Sequence, residues 1–467
     1  MKHDLPVAPA DVLQVSSPVL RTVIRTVTRA AERFGFWKAP LSRAATATEE
    51  MTALDNLYWI HKSRHPIGAW ESSVPETDRP YTLYRTARLP LWFQPDATMT
   101  MGIGGDLLRS PGIDHSQDRL FERVEDVLFD VDLSVANYES PVTDQPLMDE
   151  VIGDAGPPTE CASPAQFRIL TGHRERQFDM LHLANNHMYD MGLEGIERTL
   201  EALRQDGIEA LGAHDTPLTH GKAVVMERNG IRIGFVSDCF GLNGRTLPHQ
   251  DRWRLHVSNL LSKKTGPDMT LLHRQIKDCR ARDCDFIVAS VHWGYEFEFF
   301  PRARQMQAAR ELVEYGADSV ICHHPHVIQP VEMYRTKRDP DRRAVIAYSL
   351  GSLTWGFTAP HIVLSTVLNL TLAKGQWKGR DLTYVASVRA TPVFRTHVEE
   401  DGVPVTRIEK LADHVDNPAS PFEADYIAAI RRRAVQVLGP DCLNDPAPVD
   451  LTPALAAPAR DTALAAL

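Results

Sequence analysis

The feature that most constrains the fold is a regular alternation of strand-like and helix-like segments beginning near residue 98. Apolar runs at 98–108 and 286–294 have the length of buried strands, whereas 192–207 places its apolar residues at helical spacing. Residues 222–238 form two β-rich runs about an Asn-Gly turn, which predicts a hairpin. The alternation predicts an α/β protein, and the hairpin predicts a second sheet, so we expect a sandwich with outer helices.

Composition divides the chain into four predicted parts. Residues 17–35 are typical of an amphipathic helix with an arginine stripe, which fits either a helix packed on the main domain or one docked on an anionic membrane. Residues 36–95, rich in Trp, Pro and Arg, are predicted to be irregular. The predicted parts are an N-terminal extension at 1–97, a main domain at 98–412, a C-terminal helical segment at 413–445 and a disordered Ala/Pro-rich tail at 446–467.

The bulk charge excludes one class of partner. A formal net charge of -10 provides no general basic field, so nucleic-acid binding is not expected. We find no signal peptide and no apolar run of about 18 residues. Six cysteines without a C-x-x-C pair indicate thiols in a reducing compartment. The sequence therefore predicts a cytoplasmic protein, with peripheral membrane attachment left open.

Five polar clusters follow strand-like runs. In α/β sheets, ligand sites gather at the carboxyl ends of strands, so these clusters are expected to converge. Carboxylates, an amide and imidazoles together suit one or two divalent ions such as Mn, Zn or Fe, and two ions can clamp both oxygens of a displacement reaction. The clusters are Gly104–Asp106, Asn137–Glu139, Asn185–Asp190, His292–Gly294 and His323–His326.

Each cluster taken alone has a simpler interpretation. Asp106 after two glycines fits a turn or a helix cap, and His292 fits a core histidine. The histidines at 323–326 have no evident packing role. A dinucleotide-binding loop at 102–107 is excluded because Leu107 stands where the third glycine is required. The metal hypothesis therefore depends on the clusters occurring together.

The order of six segments resembles the CapA family of capsule and poly-γ-glutamate biosynthesis proteins. These segments are GGD, ANYESPVT, LANNHMYDMGLEGIERTLEAL, ASVHWGYEFEFFP, GADSVICHHPHVIQPVE and IAYSLGS. The resemblance covers roughly Thr98 to Thr406. That family is similar in fold to calcineurin-like metallophosphoesterases. The resemblance implies a four-layer α/β/β/α sandwich of metallophosphoesterase type.

The resemblance also implies roles for individual residues. Glu139 is expected to bridge two metals and His187 to protonate the leaving group. Because carboxylates commonly orient imidazoles, we also expect Asp190 to hold the working tautomer of His187. Leu108 stands where other phosphoesterases have a histidine, so the first metal is expected to have fewer ligands. Ser352 stands where the family often has an asparagine. The implied metal ligands are Asp106, Glu139, Asn186, His292, His324 and His326.

Two functions follow as hypotheses. The first is a metal-dependent hydrolase of a phosphoester or of the γ-glutamyl amide of an anionic polymer, with Arg302 and Arg304 as candidates to meet the anionic substrate. Solvated helix-cap positions are an equal alternative for these two arginines. The second is a non-catalytic, metal-containing assembly or polymer-handling subunit. A membrane-associated synthase remains open as a partner in both.

Overall fold

A computed structural model describes residues 5–80, 89–90, 93–145, 152–153, 159–340, 342–416, 418 and 420–444. The predicted tail at 446–467 lies outside the described residues. Two large sheets pack face to face with helices on their outer sides. The α/β sandwich predicted from the sequence is confirmed, whereas the limits of its domains remain predictions.

The helices and strands alternate along most of the chain. The helices are α1 Pro18–Phe34, α2 Ala53–Arg64, α3 Glu125–Leu128, α4 Pro164–Thr171, α5 Gly192–Asp206, α6 Thr270–Ala281, α7 Ala303–Tyr315, α8 Pro360–Val363 and α9 Pro421–Leu438. The strands are β1 Leu13–Gln14, β2 Gln94–Leu107, β3 Leu133–Tyr138, β4 Ile152–Gly153, β5 Gly172–His173, β6 Arg176–Gln177, β7 Met180–His182, β8 Glu209–Leu211, β9 Val224–Arg228, β10 Ile231–Cys239, β11 Phe286–His292, β12 Ser319–His323, β13 Val331–Arg335, β14 Arg343–Ala347, β15 Ser352–Thr354, β16 Leu364–Trp377, β17 Arg380–Glu400 and β18 Val403–Lys410.

Antiparallel strands flank the parallel strands on both sides in the smaller sheet and on one side in the larger sheet. The larger sheet has the order β18-β17-β16-β2-β3-β7-β8, with β15 beside β2, and the smaller sheet has the order β13-β14-β12-β11-β10-β9. Strands β2, β3, β7 and β8 are parallel, as are β10, β11, β12 and β14. The loops that follow parallel strands lie at one edge of a sheet, where ligand sites form.

Three apolar layers hold the sandwich together. Met101 and Val288 contribute to a buried layer between the sheets. Leu200 of α5 packs in the layer covering the larger sheet, and Ile276 of α6 and Leu312 of α7 pack in the layer covering the smaller one. Helix, sheet, sheet and helix therefore follow in order, because each sheet must bury both faces.

Helix α1 confirms the helix predicted at 17–35. The Ser17 hydroxyl accepts from the Leu20 amide at 3.3 Å, and Gly35 ends the helix in the left-handed conformation at φ 68°. Ala31 alone is buried in this helix. Within the described residues, no helix is both long and apolar enough to cross a bilayer.

The irregular conformation predicted for 36–95 is wrong where α2 forms. A capping box begins this helix: Thr52 Oγ1 accepts from the Asp55 amide at 3.3 Å, and Asp55 Oδ2 accepts from the Thr52 amide at 2.7 Å. Aromatic and basic side chains are mixed around α2 rather than placed on one face, so hydrophobic spacing did not reveal it. Buried side chains such as Tyr58 fix it to the main body of the protein.

Candidate metal centre

Loops at the carboxyl ends of β2, β3, β7, β11 and β12 bring the six predicted metal ligands together. Strand register explains part of this placement, because Asp106 pairs with Asn137 across β2 and β3. His292 pairs with His323 across β11 and β12. Neighbouring strands in both sheets thus deliver carboxylates from one side and imidazoles from the other.

The distances show that the predicted ligands converge. His326 Nδ1 lies 3.2 Å from Asp106 Oδ2, and His292 Nδ1 lies 3.5 Å from Glu139 Oε1. The other imidazole nitrogen of His292, Nε2, lies 2.6 Å from Asn186 Oδ1. Asp106 and His326 are 220 positions apart in the sequence. The proximity of the predicted ligands meets the main geometric requirement of the metal hypothesis.

The convergent side chains form two candidate ligand groups. In each group the ligand atoms lie within 4.8 Å of one another. Glu296 was not predicted from the sequence; the available signal was its position four residues after His292 in the same polar loop. The groups are Asp106 with Glu139 and His292, and Glu296 with His324 and His326.

Burial and charge make these residues suitable for a divalent cation. Burial, reinforced by the Asp106 carboxylate, raises the pKa of Glu139 well above its usual range. Burial also opposes ionisation of Asp106, but hydrogen bonds with His323 and His326 hold its pKa well below the usual range. Glu139 Oε2 and His324 Nδ1 are buried and have no hydrogen-bond partner among the described residues. Oxygen and nitrogen donors of this kind fit Mn, Zn or Fe.

Backbone strain and a serine support the histidine loop. His324 has φ 98° and His326 has φ 54°, both in the region that non-glycine residues rarely adopt. Ser352 pairs with Asp106 across β15 and β2, and its Oγ lies 2.9 Å from His326 Nδ1. Strain of this kind persists where the surrounding structure fixes it, as at ligand sites.

The predicted proton donor is held by a buried carboxylate. His187 Nδ1 lies 2.7 Å from Asp190 Oδ2, and Arg245 Nη1 lies 2.7 Å from Asp190 Oδ1. Burial works against a charged imidazole, but the Asp190 carboxylate outweighs it and raises the pKa of His187. Because Asp190 holds Nδ1, Nε2 is the ring nitrogen that remains available for another contact. Sequence reasoning missed Arg245, which lies far from every recognised cluster.

The structure does not bring the two candidate substrate arginines into the site. Arg302 is buried, with Nε 2.9 Å from Glu298 Oε2 and Nη2 2.8 Å from Glu298 Oε1, and its Nη1 donates to the Leu41 carbonyl at 2.9 Å. Arg304 is half-buried on α7. Neither lines the cavity beside the metal ligands. Arg302 instead fastens the extension to the main body.

A cavity of about 400 Å³ opens beside the histidines, and the extension forms much of its wall. Lys62 lines it and lies 3.3 Å from Glu298, so a buried cation stands near the candidate ligands. Thr46 Oγ1 lies 3.3 Å from His324 Nε2. His187 and Trp59 also line the cavity. The N-terminal extension is therefore part of the site rather than a separate arm.

The fold and site define a class: an α/β sandwich protein with a buried set of candidate metal ligands at the strand ends. Residues 93–355 match the family described as bacterial capsule synthesis protein PGA_cap, and the chain belongs to this family. The match ends before β16, so the three closing strands of the larger sheet lie beyond it.

Individual relatives align over part of the chain. It is 26% identical over 275 residues to a capsule biosynthesis protein CapA of Bacillus anthracis, covering 57% of this chain and 62% of the relative. It is 28% identical over 244 residues to a PGA biosynthesis protein CapA of Bacillus subtilis, covering 51% and 57%. A probable polyglutamine synthesis accessory protein of Mycobacterium tuberculosis is 25% identical over 210 residues, covering 44% and 53%. The alignments thus span somewhat over half of each relative.

Proposed function

We propose that this protein is a metal-dependent hydrolase acting in capsule or poly-γ-glutamate biosynthesis. The observation that carries the proposal is the convergence of three carboxylates and three imidazoles beside a buried His187–Asp190 pair. A purely structural metal site has no need of such a pair. The capsule and poly-γ-glutamate context comes from the family and from the names of the relatives.

The proposed metal ligands are the six predicted from the sequence, with Glu296 added. When bound, divalent ions in such a site polarise the oxygen under attack and lower the pKa of water. The protein's own contribution begins with Asn137, whose Nδ2 donates to Asp106 Oδ1 at 2.8 Å and to Glu139 Oε1 at 2.5 Å. Asn137 thus holds the two carboxylates side by side.

His187 is proposed to protonate the leaving group. The raised pKa favours an imidazolium that can give up its proton from Nε2, and Asp190 keeps the ring oriented. Lys62 is proposed to attract an anionic substrate into the cavity, because among the described residues of the extension it is the basic side chain that lines the cavity. Both a phosphoester and a γ-glutamyl amide within an anionic polymer fit these features.

The test is hydrolysis of a chromogenic phosphodiester and of γ-linked glutamate oligomers, with added Mn. His187→Ala is expected to lower kcat by about 10²–10⁴, the usual contribution of a positioned acid, while bound metal stays unchanged. The exposed His249→Ala is the matched control. Full activity in His187→Ala on the substrate that the wild type hydrolyses would refute the assignment.

A non-catalytic role in polymer handling is the second candidate. The observation favouring it is Leu108, which leaves the first group without a further histidine at that place. Under this alternative, the wild type binds metal, retains γ-linked glutamate polymer on a column, and turns over neither class of substrate.

The proposed place of action is the cytoplasmic face of the membrane, beside a polymer synthase. Val19, Leu20 and Val23 of α1 are 73%, 46% and 46% exposed. The arginines at 21, 25, 29 and 33 follow one another at four-residue spacing on the same helix and are all exposed. An apolar face opposite a basic one is typical of a helix lying on an anionic bilayer.

A further inference from the structure

A second histidine cluster lies outside the candidate metal centre. His214 and His220 belong to the loop between β8 and β9, and His256 follows β10 along the chain. The backbone of Ala213 bridges to Leu255, which brings the two loops together. None of these histidines lines the cavity described above, and none was predicted as a ligand.

The three rings have the spacing expected around one ion. Their centroids are 4.4 Å apart for His214 and His256, 5.1 Å for His220 and His256, and 5.7 Å for His214 and His220. Imidazoles on a tetrahedral zinc have ring centres about 5 Å apart, because the metal–nitrogen bond is about 2.0–2.1 Å and the ring centre lies roughly 1 Å beyond the nitrogen. The observed separations bracket that value.

Each ring is fixed from outside by one hydrogen bond. His214 Nδ1 lies 3.0 Å from Thr219 Oγ1, and His256 Nδ1 lies 3.2 Å from Ser237 Oγ. The His220 ring bonds the backbone of Trp253. Histidines that ligate metals are held in this way through their second nitrogen, which fixes the ring orientation.

The remaining nitrogens face one another. His214 Nε2 and His256 Nε2 are 2.8 Å apart, and His220 Nδ1 is buried with no hydrogen-bond partner among the described residues. One ligand atom from each ring lies within 4.8 Å of the other two. The Gly221 amide donates to His256 Nε2 at 3.0 Å, so this nitrogen carries a lone pair rather than a proton. A bound ion would replace the hydrogen bond from that amide, and the proton on His214 Nε2 would move to Nδ1, which would then donate to Thr219 Oγ1.

The chemistry of the cluster favours a transition ion. Burial lowers the pKa of all three imidazoles, that of His214 to about 4, so they are neutral near pH 7 and able to bind metal. Imidazole donors suit zinc, copper, iron or nickel rather than magnesium or calcium. No carboxylate belongs to the group, which distinguishes it from the two groups at the candidate metal centre.

We propose that His214, His220 and His256 form a separate site for one divalent transition-metal ion such as zinc, with water in the fourth coordination position. The ion would join the loop after β8, in the larger sheet, to the segment that hydrogen-bonds β10, in the smaller sheet. The partly exposed His220 provides the route of entry.

Elemental analysis of the full-length chain, equilibrated with zinc, tests the proposal. His214→Ala/His220→Ala is expected to hold one equivalent less zinc than the wild type, and the exposed His249→Ala is expected to match the wild type. In an Asp106→Asn background, zinc is expected to raise the Tm, and this rise should disappear when the histidine pair is also replaced. This background separates the cluster from the candidate metal centre.

The single variant His220→Ala keeps the test valid if the double variant misfolds. Its side chain is partly exposed, so we expect an unchanged far-UV circular dichroism spectrum with zinc affinity at the cluster lowered at least about tenfold. Equal zinc content and equal zinc-dependent Tm in the wild type and in correctly folded histidine variants would overturn the proposal. Loss of every equivalent of zinc in Asp106→Asn alone would overturn it as well.

Discussion

Single residues decide whether the carboxylates at the candidate metal centre can approach the other ligands. A Cβ added to Gly105 would lie 2.0 Å from the Gly351 carbonyl oxygen, on the chain that leads into β15. The Asp106 amide donates to that same oxygen at 3.0 Å. The candidate ligand Asp106 is therefore placed by a backbone contact that only glycine permits.

Gly105→Ala is expected to destabilise the fold by about 3 kcal/mol or more and to lower metal occupancy, because the backbone at Asp106 must move away from Gly351. Gly241→Ala is the control, since nothing lies within 4 Å of a Cβ built there. Urea unfolding and elemental analysis measure both effects. A stability difference below about 0.5 kcal/mol between the two variants would contradict this account.

Asp238 gives the protein a defined dependence of stability on pH. Burial raises its pKa to about 8, and its Oδ2 has no hydrogen-bond partner among the described residues. In the unfolded chain its pKa is about 3.9. Between these values the folded state holds a proton that the unfolded state has released, so stability falls as the pH rises from about 4 to about 8.

Asp238→Asn removes this titration. The variant is expected to lose less stability than the wild type between pH 5 and pH 8, with a difference on the order of a few kcal/mol. Urea unfolding at several pH values measures it. The exposed Glu194→Gln should follow the wild-type curve. Parallel curves for the wild type and Asp238→Asn would show that Asp238 is ionised in the folded protein at neutral pH.

Residue identity and local pattern predicted the candidate ligands that stand at the ends of apolar strands and that the structure brings together. Asp106 and His292 are examples, because a strand end fixes where its last side chain lies. Glu296 and Arg245 were missed because their contributions come from loops whose course depends on tertiary packing. Substrate contact or a solvated helix cap was expected for Arg302 from the sequence, and neither role includes burial. Arg302 can be buried because it forms an ion pair with Glu298, four residues earlier.

At the scale of secondary structure, helix α1 was predicted from the sequence, but the extent to which its apolar side chains are exposed was not. Its sequence already contains the apolar and basic faces, since both recur at helical spacing. Its position was not evident: Leu20 and Ile24 line the cavity beside His187. A helix that lies on a bilayer would therefore place the opening of that cavity close to the membrane surface.

If α1 lies on the membrane, binding should depend on anionic lipid. The full-length protein is expected to co-sediment with vesicles containing phosphatidylglycerol and to stay in solution with phosphatidylcholine alone. Replacing Arg21, Arg25 and Arg29 by Glu should abolish co-sedimentation, whereas replacing the exposed Arg280 of α6 by Glu should not. Equal binding of the wild type and the triple variant would exclude an electrostatic contact through α1. Dimerisation through α1 would appear instead in size-exclusion chromatography.

At the scale of the whole molecule, the larger sheet is completed by strands beyond the family match. Strand β16 pairs with β2 along Gln94 to Ile103, and its Leu368 and Leu370 are buried between the sheets. Without β16, β2 would expose unpaired backbone groups along one edge, and the apolar layer between the sheets would be incomplete. The sandwich therefore depends on strands that lie beyond the family match.

A chain ending at residue 355 is expected to be unfolded or aggregated, because it lacks β16, β17 and β18. A chain ending at residue 444 should keep the Tm of the full-length protein, since the Ala/Pro-rich remainder is predicted to be disordered. Circular dichroism melting and size-exclusion chromatography compare the two. A cooperative melt of the shorter chain would show that the matched region folds without the closing strands.

The sequence by itself determined the α/β class, the helix at α1 and the residues that end the central strands, because these follow from periodicity and chain-local chemistry. Tertiary structure alone decided that α2 lines the cavity beside the candidate metal centre, that Glu296 joins the second candidate ligand group, and that His214, His220 and His256 lie together. Such contacts join segments far apart in sequence. Which of them form depends on how whole layers pack, and no local pattern encodes that packing.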